Sequence, residues 1–257
     1  SNLKKKPGLG IILVGDRKDS KIYVNMKKKA CEKVGIKHYQ KNLCNLSTTE
    51  SVINEIEKFN KNDNIDAIMV QLPLPDHLNK ELILNKINYK KDVDCFHKTN
   101  FGKLALNLDK SIYPCTPKGI ETLLDFYNID TKHKNITIVG TSSIVGLPMS
   151  LMFLHKGATV TMCNKNTKDI KEFTKTADIL VVAAGHPNLI NSSHIKDGCV
   201  VIDVGINKLE CGNIVGDVNI NDVACKVKAI SPVPGGVGPM TISMVIQNTL
   251  ELYKKKG

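Results

Sequence analysis

The chain has no tryptophan, and aromatic residues make up only 5% of its 257 positions. Single-strand nucleic-acid binders use aromatic platforms for base stacking, so that class fits poorly. No run approaches the roughly 20 apolar residues that a membrane helix needs, so no membrane partner is expected. Ser1 to Lys6 is polar and basic and leads directly into a core-type segment, which is not the pattern of a secretory leader. The eight cysteines, at 31, 44, 95, 115, 163, 199, 211 and 225, include no C-x-x-C pair. Without paired spacing neither a zinc site nor a dense disulfide framework is expected. They read as reduced thiols of a cytoplasmic protein, several of them small core residues. Internal repeats and low-complexity linkers are also missing.

What is present is an ordinary globular composition, 42% apolar, with a net charge of +11. Lysines are scattered along the whole chain and no known nucleic-acid module accompanies them. Dispersed charge of this kind reads as a solvated face, and a nucleic-acid partner is not expected. A basic surface does favour an anionic small substrate.

Strand-like and helix-like segments alternate, which predicts a two-domain α/β protein with parallel sheets. GLGIILV (8–14) reads as a buried strand, followed by an amphipathic helix over 20–34 that Gly35 stops. A strand near 37–43, a helix near 49–59 and a strand at 67–70 complete the first half. A helical stretch after Pro117 leads to a polar segment, 130–134, where a domain boundary is placed. Short Val/Ile-rich strands at 136–140, 158–162, 179–184, 199–204 and 228–231 then alternate with helices, as in a Rossmann-like doubly wound sheet. The expected domains are therefore 1–130 with the terminal helix 241–257 returning to it, and 131–240.

The second domain opens with ITIV running into Gly140-Thr141-Ser142-Ser143-Ile144-Val145-Gly146 and a helix. A glycine turn at a helix N-terminus offers backbone N–H groups and a positive dipole end to a pyrophosphate. The spacing is G-x5-G rather than G-x-G-x-x-G, so the loop alone reads equally as a plain strand–helix turn. Its position in the first βαβ unit favours the dinucleotide reading. The next strand ends about 20 residues on, where an NAD site usually carries an acid for the ribose hydroxyls. Asn164-Lys165-Asn166 stands there instead, and Lys165 suits a 2′-phosphate. NADP is therefore expected, with NAD as the alternative; a solvated loop lysine is the bland reading of Lys165.

In the first domain, Lys27, Lys28 and Lys29 are adjacent, but helical geometry separates them. Lys27 has Tyr23 at i−4, Cys31 at i+4 and Val34 at i+7, so it borders the apolar stripe. Desolvation there would lower its pKa toward a useful range; a stem snorkelling over the stripe is the bland alternative. VQLPLP (70–75) carries Gln71, whose amide could hold a lysine. KDVDCF (91–96) carries Asp92 and Asp94, otherwise ordinary turn acids. PCTPKG (114–119) is a rigid connector, and PVPGGVGPMT (232–241) packs more Gly and Pro than a structural turn needs, implying close backbone approach to a ligand.

The ordered set VGD…S-x-x-Y-x-x-x-K, VQLPLP, KDVD, PCTPKG, G-x-S-x-IVG-x-P and PVPGGVGPMT resembles the bifunctional methylenetetrahydrofolate dehydrogenase/cyclohydrolase family over nearly the whole chain. The resemblance implies oxidation of 5,10-methylenetetrahydrofolate with NAD(P), then hydrolysis of the methenyl product to the 10-formyl form. A folate would lie in the cleft between domains, and a homodimer would form through the nucleotide-binding domain. It implies Tyr23 stacking on the folate, Asp94 accepting pterin hydrogen bonds, and Lys27, oriented by Gln71, assisting water attack. Val70, Gln71 and Leu72 would contact substrate along the strand edge. Pro234, Gly235, Gly236, Val237 and Gly238 would line the folate and nicotinamide end, near Thr241. Gly205 and Ile206 would lie beside the nicotinamide, and Gly140, Thr141 and Ser142 on the phosphates. No metal is implied. Four departures stand out. Thr141 replaces an arginine common in the family, Asn164-Lys165 replaces His-Ser, and Cys95 replaces a glycine. The family's helical segment before the first strand has no counterpart in these residues. A dehydrogenase-only member and a non-catalytic binding protein on the same scaffold are the remaining alternatives.

Overall fold

Parallel strands alternating with helices account for both halves of the chain. The computed structural model describes residues 5–108 and 112–256. Contacts divide the chain into two units, Ser1–Cys115 with Ile242–Gly257, and Thr116–Thr241.

The first unit runs β1 (Gly8–Val14), α1 (Lys18–Val34), β2 (Lys37–Leu43), α2 (Thr49–Lys61), β3 (Ala67–Val70), α3 (Lys80–Leu84) and α4 (Lys98–Ala105). Its sheet has the order β2-β1-β3, all parallel. A central parallel strand is covered on both faces and so reads as one apolar run; all seven residues of β1 are buried. Ile12, Val14, Val52, Ile56, Ile68 and Val70 join one core cluster, each contributing about 1.5–3 kcal/mol of transfer free energy. Gly35 ends α1 in the left-handed conformation, φ 78°, and its N–H donates to Cys31 and Glu32 carbonyls. Segment 91–93 runs beside β3, through Ile68 N–H to Lys91 O and Val93 N–H to Ile68 O, which carries Asp94 to the carboxyl end of the strand.

The second unit contains α5 (Cys115–Phe126), β4 (Asn135–Val139), α6 (Gly146–His155), β5 (Thr159–Cys163), α7 (Lys171–Thr174), β6 (Ile179–Val182), β7 (Val200–Asp203), the hairpin β8 (Asn207–Lys208) with β9 (Ile214–Val215), α8 (Ile220–Val223) and β10 (Ala229–Ile230). Its five strands are parallel in the order β10-β7-β6-β4-β5. Numbered by appearance, this is a 2-1-3-4-5 doubly wound sheet, whose strand order reverses between β4 and β6. Ligands of such sheets bind outside the carboxyl ends at that reversal. The last helix, α9 (Val237–Lys256), starts in the second unit and finishes in the first. Its buried Ile242, Val245, Asn248, Thr249 and Leu252 share one face.

Two boundaries differ from the sequence reading. Helix α5 begins at Cys115, so Pro117 sits in its first turn, and α9 begins at Val237, so Pro239 does too. Proline in a first turn removes an N–H that would have no partner in the helix. The Gly/Pro loop therefore covers 232–236 only, and Val237, Gly238 and Thr241 are helical. The polar segment 130–134 suggests a boundary after α5, whereas the contacts divide the chain before it. Among the described residues, no helix is long and apolar enough to cross a membrane.

Candidate active site

In the first unit the carboxyl end of β3 and the inner face of α1 bring three polar side chains together. Lys27 is 4% exposed, while Lys28 and Lys29 on the same helix are exposed. Its Nζ donates to Gln71 Oε1 at 2.8 Å, and Gln71 Nε2 donates back to the Leu72 carbonyl at 2.6 Å. The Gln71 amide is thus oriented by the chain itself, with its oxygen committed to the lysine. Backbone pairing of Gln71 N–H with Ile12 O at 2.9 Å fixes it to the end of β1.

Burial pushes the Lys27 pKa down, opposed by the nearby Asp94 and Cys115. The same burial pushes the Asp94 carboxyl up to about 6, with Lys27 acting against the rise. An amine and a carboxyl that each resist charging, and each favour the other's charge, suit proton transfer near neutral pH. Tyr23 lies one turn before Lys27 and is half-buried, and burial raises its phenol pKa. Val70 is buried at the end of β3, and Leu72 packs partly against the core.

The two acids of KDVD have different surroundings. Asp92 accepts from Phe96 N–H, His97 N–H and Asn100 Nδ2 at 2.9–3.2 Å, and so caps the turn into α4. Asp94 points toward Lys27 and the Cys115 thiol. Cys95 has φ 60°, in the left-handed region that glycine enters without a steric cost. Its side chain is fully buried directly after Asp94.

Residues that the motif reading does not single out complete this half. Cys115 donates to the Val93 carbonyl at 3.3 Å. Asn248 Nδ2 donates to Val93 O and Tyr113 O, both at 2.9 Å, and to Cys115 Sγ at 3.4 Å. A buried asparagine in the apolar stripe of α9 signals such a partner. Lys91 Nζ donates to Asn60 O at 2.8 Å and Asn62 O at 2.9 Å, which caps α2 and anchors the start of the Asp94 loop.

In the second unit Gly140 follows β4 with φ 114°. A Cβ on Gly140 would strike the Ala183 carbonyl, and one on Gly146 would strike the Gly140 carbonyl. Both glycines are therefore required by close backbone approach, and the loop between them turns directly into the N-terminus of α6. Thr141 and Ser142 are exposed on this loop. Ser142 Oγ accepts from Val145 N–H at 3.2 Å, and Ser142 O accepts from Leu147 N–H at 3.0 Å. Lys165 is exposed beyond β5, in a turn where Asn164 Oδ1 accepts from Asn166 N–H. Gly205 is buried after β7 and Ile206 is half-exposed. Pro234 and Gly235 are exposed and Gly236 half-buried in the turn before α9. This arrangement, a glycine cradle at the strand-order reversal with a cation and no acid beyond the second strand, fits a phosphorylated dinucleotide. Among the described residues no cluster could hold a metal ion.

Comparison with known proteins agrees with both halves. Residues 1–94 match the tetrahydrofolate dehydrogenase/cyclohydrolase catalytic domain, and residues 114–257 match the NAD(P)-binding domain of the same family. The bifunctional protein FolD of Aquifex aeolicus is 50% identical over 252 residues, covering 98% of this chain and 86% of that one. The crystal structure of the bifunctional FolD methylenetetrahydrofolate dehydrogenase/cyclohydrolase of Campylobacter jejuni superposes with a TM-score of 0.95 at 47% identity, over 98% of this chain and 90% of that chain. The Trypanosoma brucei enzyme, solved with NADP cofactor and inhibitor, gives 0.94 at 36% identity, over 98% and 88%. With these matches spanning both units and both glycine- and lysine-bearing motifs, the chain belongs to the tetrahydrofolate dehydrogenase/cyclohydrolase family.

Proposed function

We propose that this chain oxidises 5,10-methylenetetrahydrofolate to 5,10-methenyltetrahydrofolate with NADP and hydrolyses the methenyl form to 10-formyltetrahydrofolate. The observation that carries the reading is the buried Lys27–Gln71 pair with Asp94 beside it. A binding module has no use for a desolvated lysine whose pKa is pushed down.

Bound against the Gly140 loop, the oxidised dinucleotide supplies the hydride acceptor. For that step the chain mainly supplies position, because the folate nitrogen lone pair drives hydride departure. Asp94, as carboxylate, accepts hydrogen bonds from the pterin amino and ring N–H groups, and Tyr23 offers a ring face. In hydrolysis, water adds to the methenyl carbon, and neutral Lys27 takes its proton while Gln71 Oε1 holds the amine in place. The lysine then returns that proton to N5 as the C–N5 bond breaks, and the carbinol oxygen gives up its remaining proton to solvent as it becomes the formyl carbonyl on N10.

The choice of NADP rests on Asn164-Lys165-Asn166, which offers a cation and no ribose-binding acid. Arg17, the only arginine in the sequence, lies in the first unit. The second unit therefore offers a 2′-phosphate no arginine, and its permanent cations are lysines. The homodimer belongs to the same reading and is supported by the family resemblance; a cytoplasmic location, with an organelle as the alternative, is supported by the eight cysteines without paired spacing. The test is reduced-dinucleotide formation from 5,10-methylenetetrahydrofolate with NADP and NAD in parallel. Turnover with NADP supports the reading, turnover with NAD alone reverses the cofactor assignment, and no turnover with either removes the dehydrogenase half.

A further inference from the structure

Two buried acids stand at the carboxyl ends of β6 and β7, where the mechanism above uses no carboxylate. Asp217 is 0% exposed. Its Oδ2 accepts from Ala184 N–H at 2.7 Å and Gly185 N–H at 2.8 Å, and its Oδ1 accepts from Asn207 Nδ2 at 2.7 Å. Asp203 accepts from Gly205, Asp217 and Val218 N–H groups at 2.9–3.0 Å. Carboxylates are costly to bury, and these are offset by N–H donors from three separate loop segments.

Location gives the arrangement a use. Ala184 and Gly185 follow β6, and the preceding residue, Ala183, is the one whose carbonyl leaves no room for a side chain on Gly140 of the phosphate loop. Asn207 directly follows Gly205 and Ile206. One carboxylate therefore ties the loop that backs the phosphate cradle to the segment expected beside the nicotinamide. The fit is close on both sides: a Cβ on Gly205 would strike the Asp217 carboxylate, and one on Gly216 would strike that of Asp203.

We propose that Asp217 is a positioning residue for dinucleotide binding, fixing the Ala184–Gly185 turn against the Gly205–Asn207 segment at the strand-order reversal. The inference rests on the dinucleotide reading of the second unit. Asp217→Asn keeps the shape but turns one acceptor into a donor, so one side of the tie is lost. A charge-assisted hydrogen bond is worth about 1.5–3 kcal/mol, so NADP binding should weaken by about tenfold or more. The acid–base pair of methenyltetrahydrofolate hydrolysis, Lys27 and Gln71, belongs to the first unit, and the step uses no dinucleotide, so hydrolysis should stay within about twofold. The double variant Asp217→Asn/Asn207→Asp lets the new amide accept from residues 184 and 185 and donate to residue 207, and should restore binding. Asn207→Ala removes one bond only and guards against misfolding of the other variants; it should weaken NADP binding about threefold or more.

The test is calorimetric titration of each full-length variant with NADP, alongside the hydrolysis rate. Weakened binding with hydrolysis intact and recovery in the double variant supports the proposal. Unchanged NADP affinity in Asp217→Asn or in Asn207→Ala overturns it, as does parallel loss of both readouts in Asn207→Ala. A wild-type chain that binds neither NADP nor NAD overturns the dinucleotide reading first, and this inference with it.

Discussion

Replacing Lys27 by methionine keeps a linear side chain and removes the amine. Lys27 Nζ lies 2.8 Å from Gln71 Oε1, and the two residues are 4% and 8% exposed. Removing the donor strands a buried acceptor, at a cost of about 1–3 kcal/mol. Methionine also escapes the burial penalty that holds the lysine pKa down, so the net loss of stability should stay below about 2 kcal/mol. Hydrolysis should fall about 100- to 10,000-fold, the range for loss of a positioned acid–base group. The oxidation step needs no proton from this amine, so its kcat should fall less than about tenfold. A second effect comes through Asp94. Lys27 opposes the rise of the Asp94 pKa to about 6, and without it the carboxyl rises further. Folate KM in the variant should therefore climb most steeply below neutral pH. Both activities are measured on one preparation, as methenyl decay without dinucleotide and as reduced-dinucleotide formation. Hydrolysis within about threefold of wild type, or proportional loss of both activities, would refute the role assigned to Lys27.

Asp94→Asn should remove the acid-side rise in folate KM that wild type shows as pH falls through about 6, seen in KM–pH profiles. The folded pKa of Asp94 is raised, so its stabilising contribution is full below about pH 4 and lost as pH rises through about 6. Calorimetry should then show Asp94→Asn gaining on wild type by on the order of 2–3 kcal/mol between those limits. Asn248→Leu takes the amide donor from the Tyr113 and Val93 carbonyls, the latter keeping the Cys115 thiol, and should cost about 1–3 kcal/mol, read from the urea midpoint. Lys165→Ala should raise KM for NADP about tenfold while leaving KM for NAD unchanged, measured by steady-state kinetics; equal shifts with both cofactors would remove Lys165 as the phosphate reader.

Local pattern and tertiary context contributed differently to what could be read in advance. Strands 8–14, 37–43 and 67–70 match the structure residue for residue; 8–14 and 67–70 are buried apolar runs, and 37–43 mixes exposed with half-buried positions at the sheet edge. Lys27 was legible as well, since helical spacing alone separates it from Lys28 and Lys29. The starts of α5 and α9 were not, because Pro and Gly signal a break equally well whether they precede a helix or occupy its first turn.

Strand order lay further from reach, since no local signal says that β6 pairs with β4 on the side away from β5. That order nevertheless decides the second site. It brings Ala183 against Gly140, which explains why the loop after β4 needs glycine without the usual G-x-G-x-x-G spacing. It also sets Asp217, two residues past β9, within hydrogen-bond reach of the loop after β6. In sequence Asp217 is a lone acid between Gly216 and Val218, 32 residues from Gly185; its partners exist only once the sheet has formed. The same holds for Asn248, 155 residues from Val93. Residues that would touch ligand lie in motifs and can be found by their chemistry, whereas residues that hold those motifs in place are defined by contacts across the fold. A buried polar side chain with a full set of partners is where the second kind should be sought.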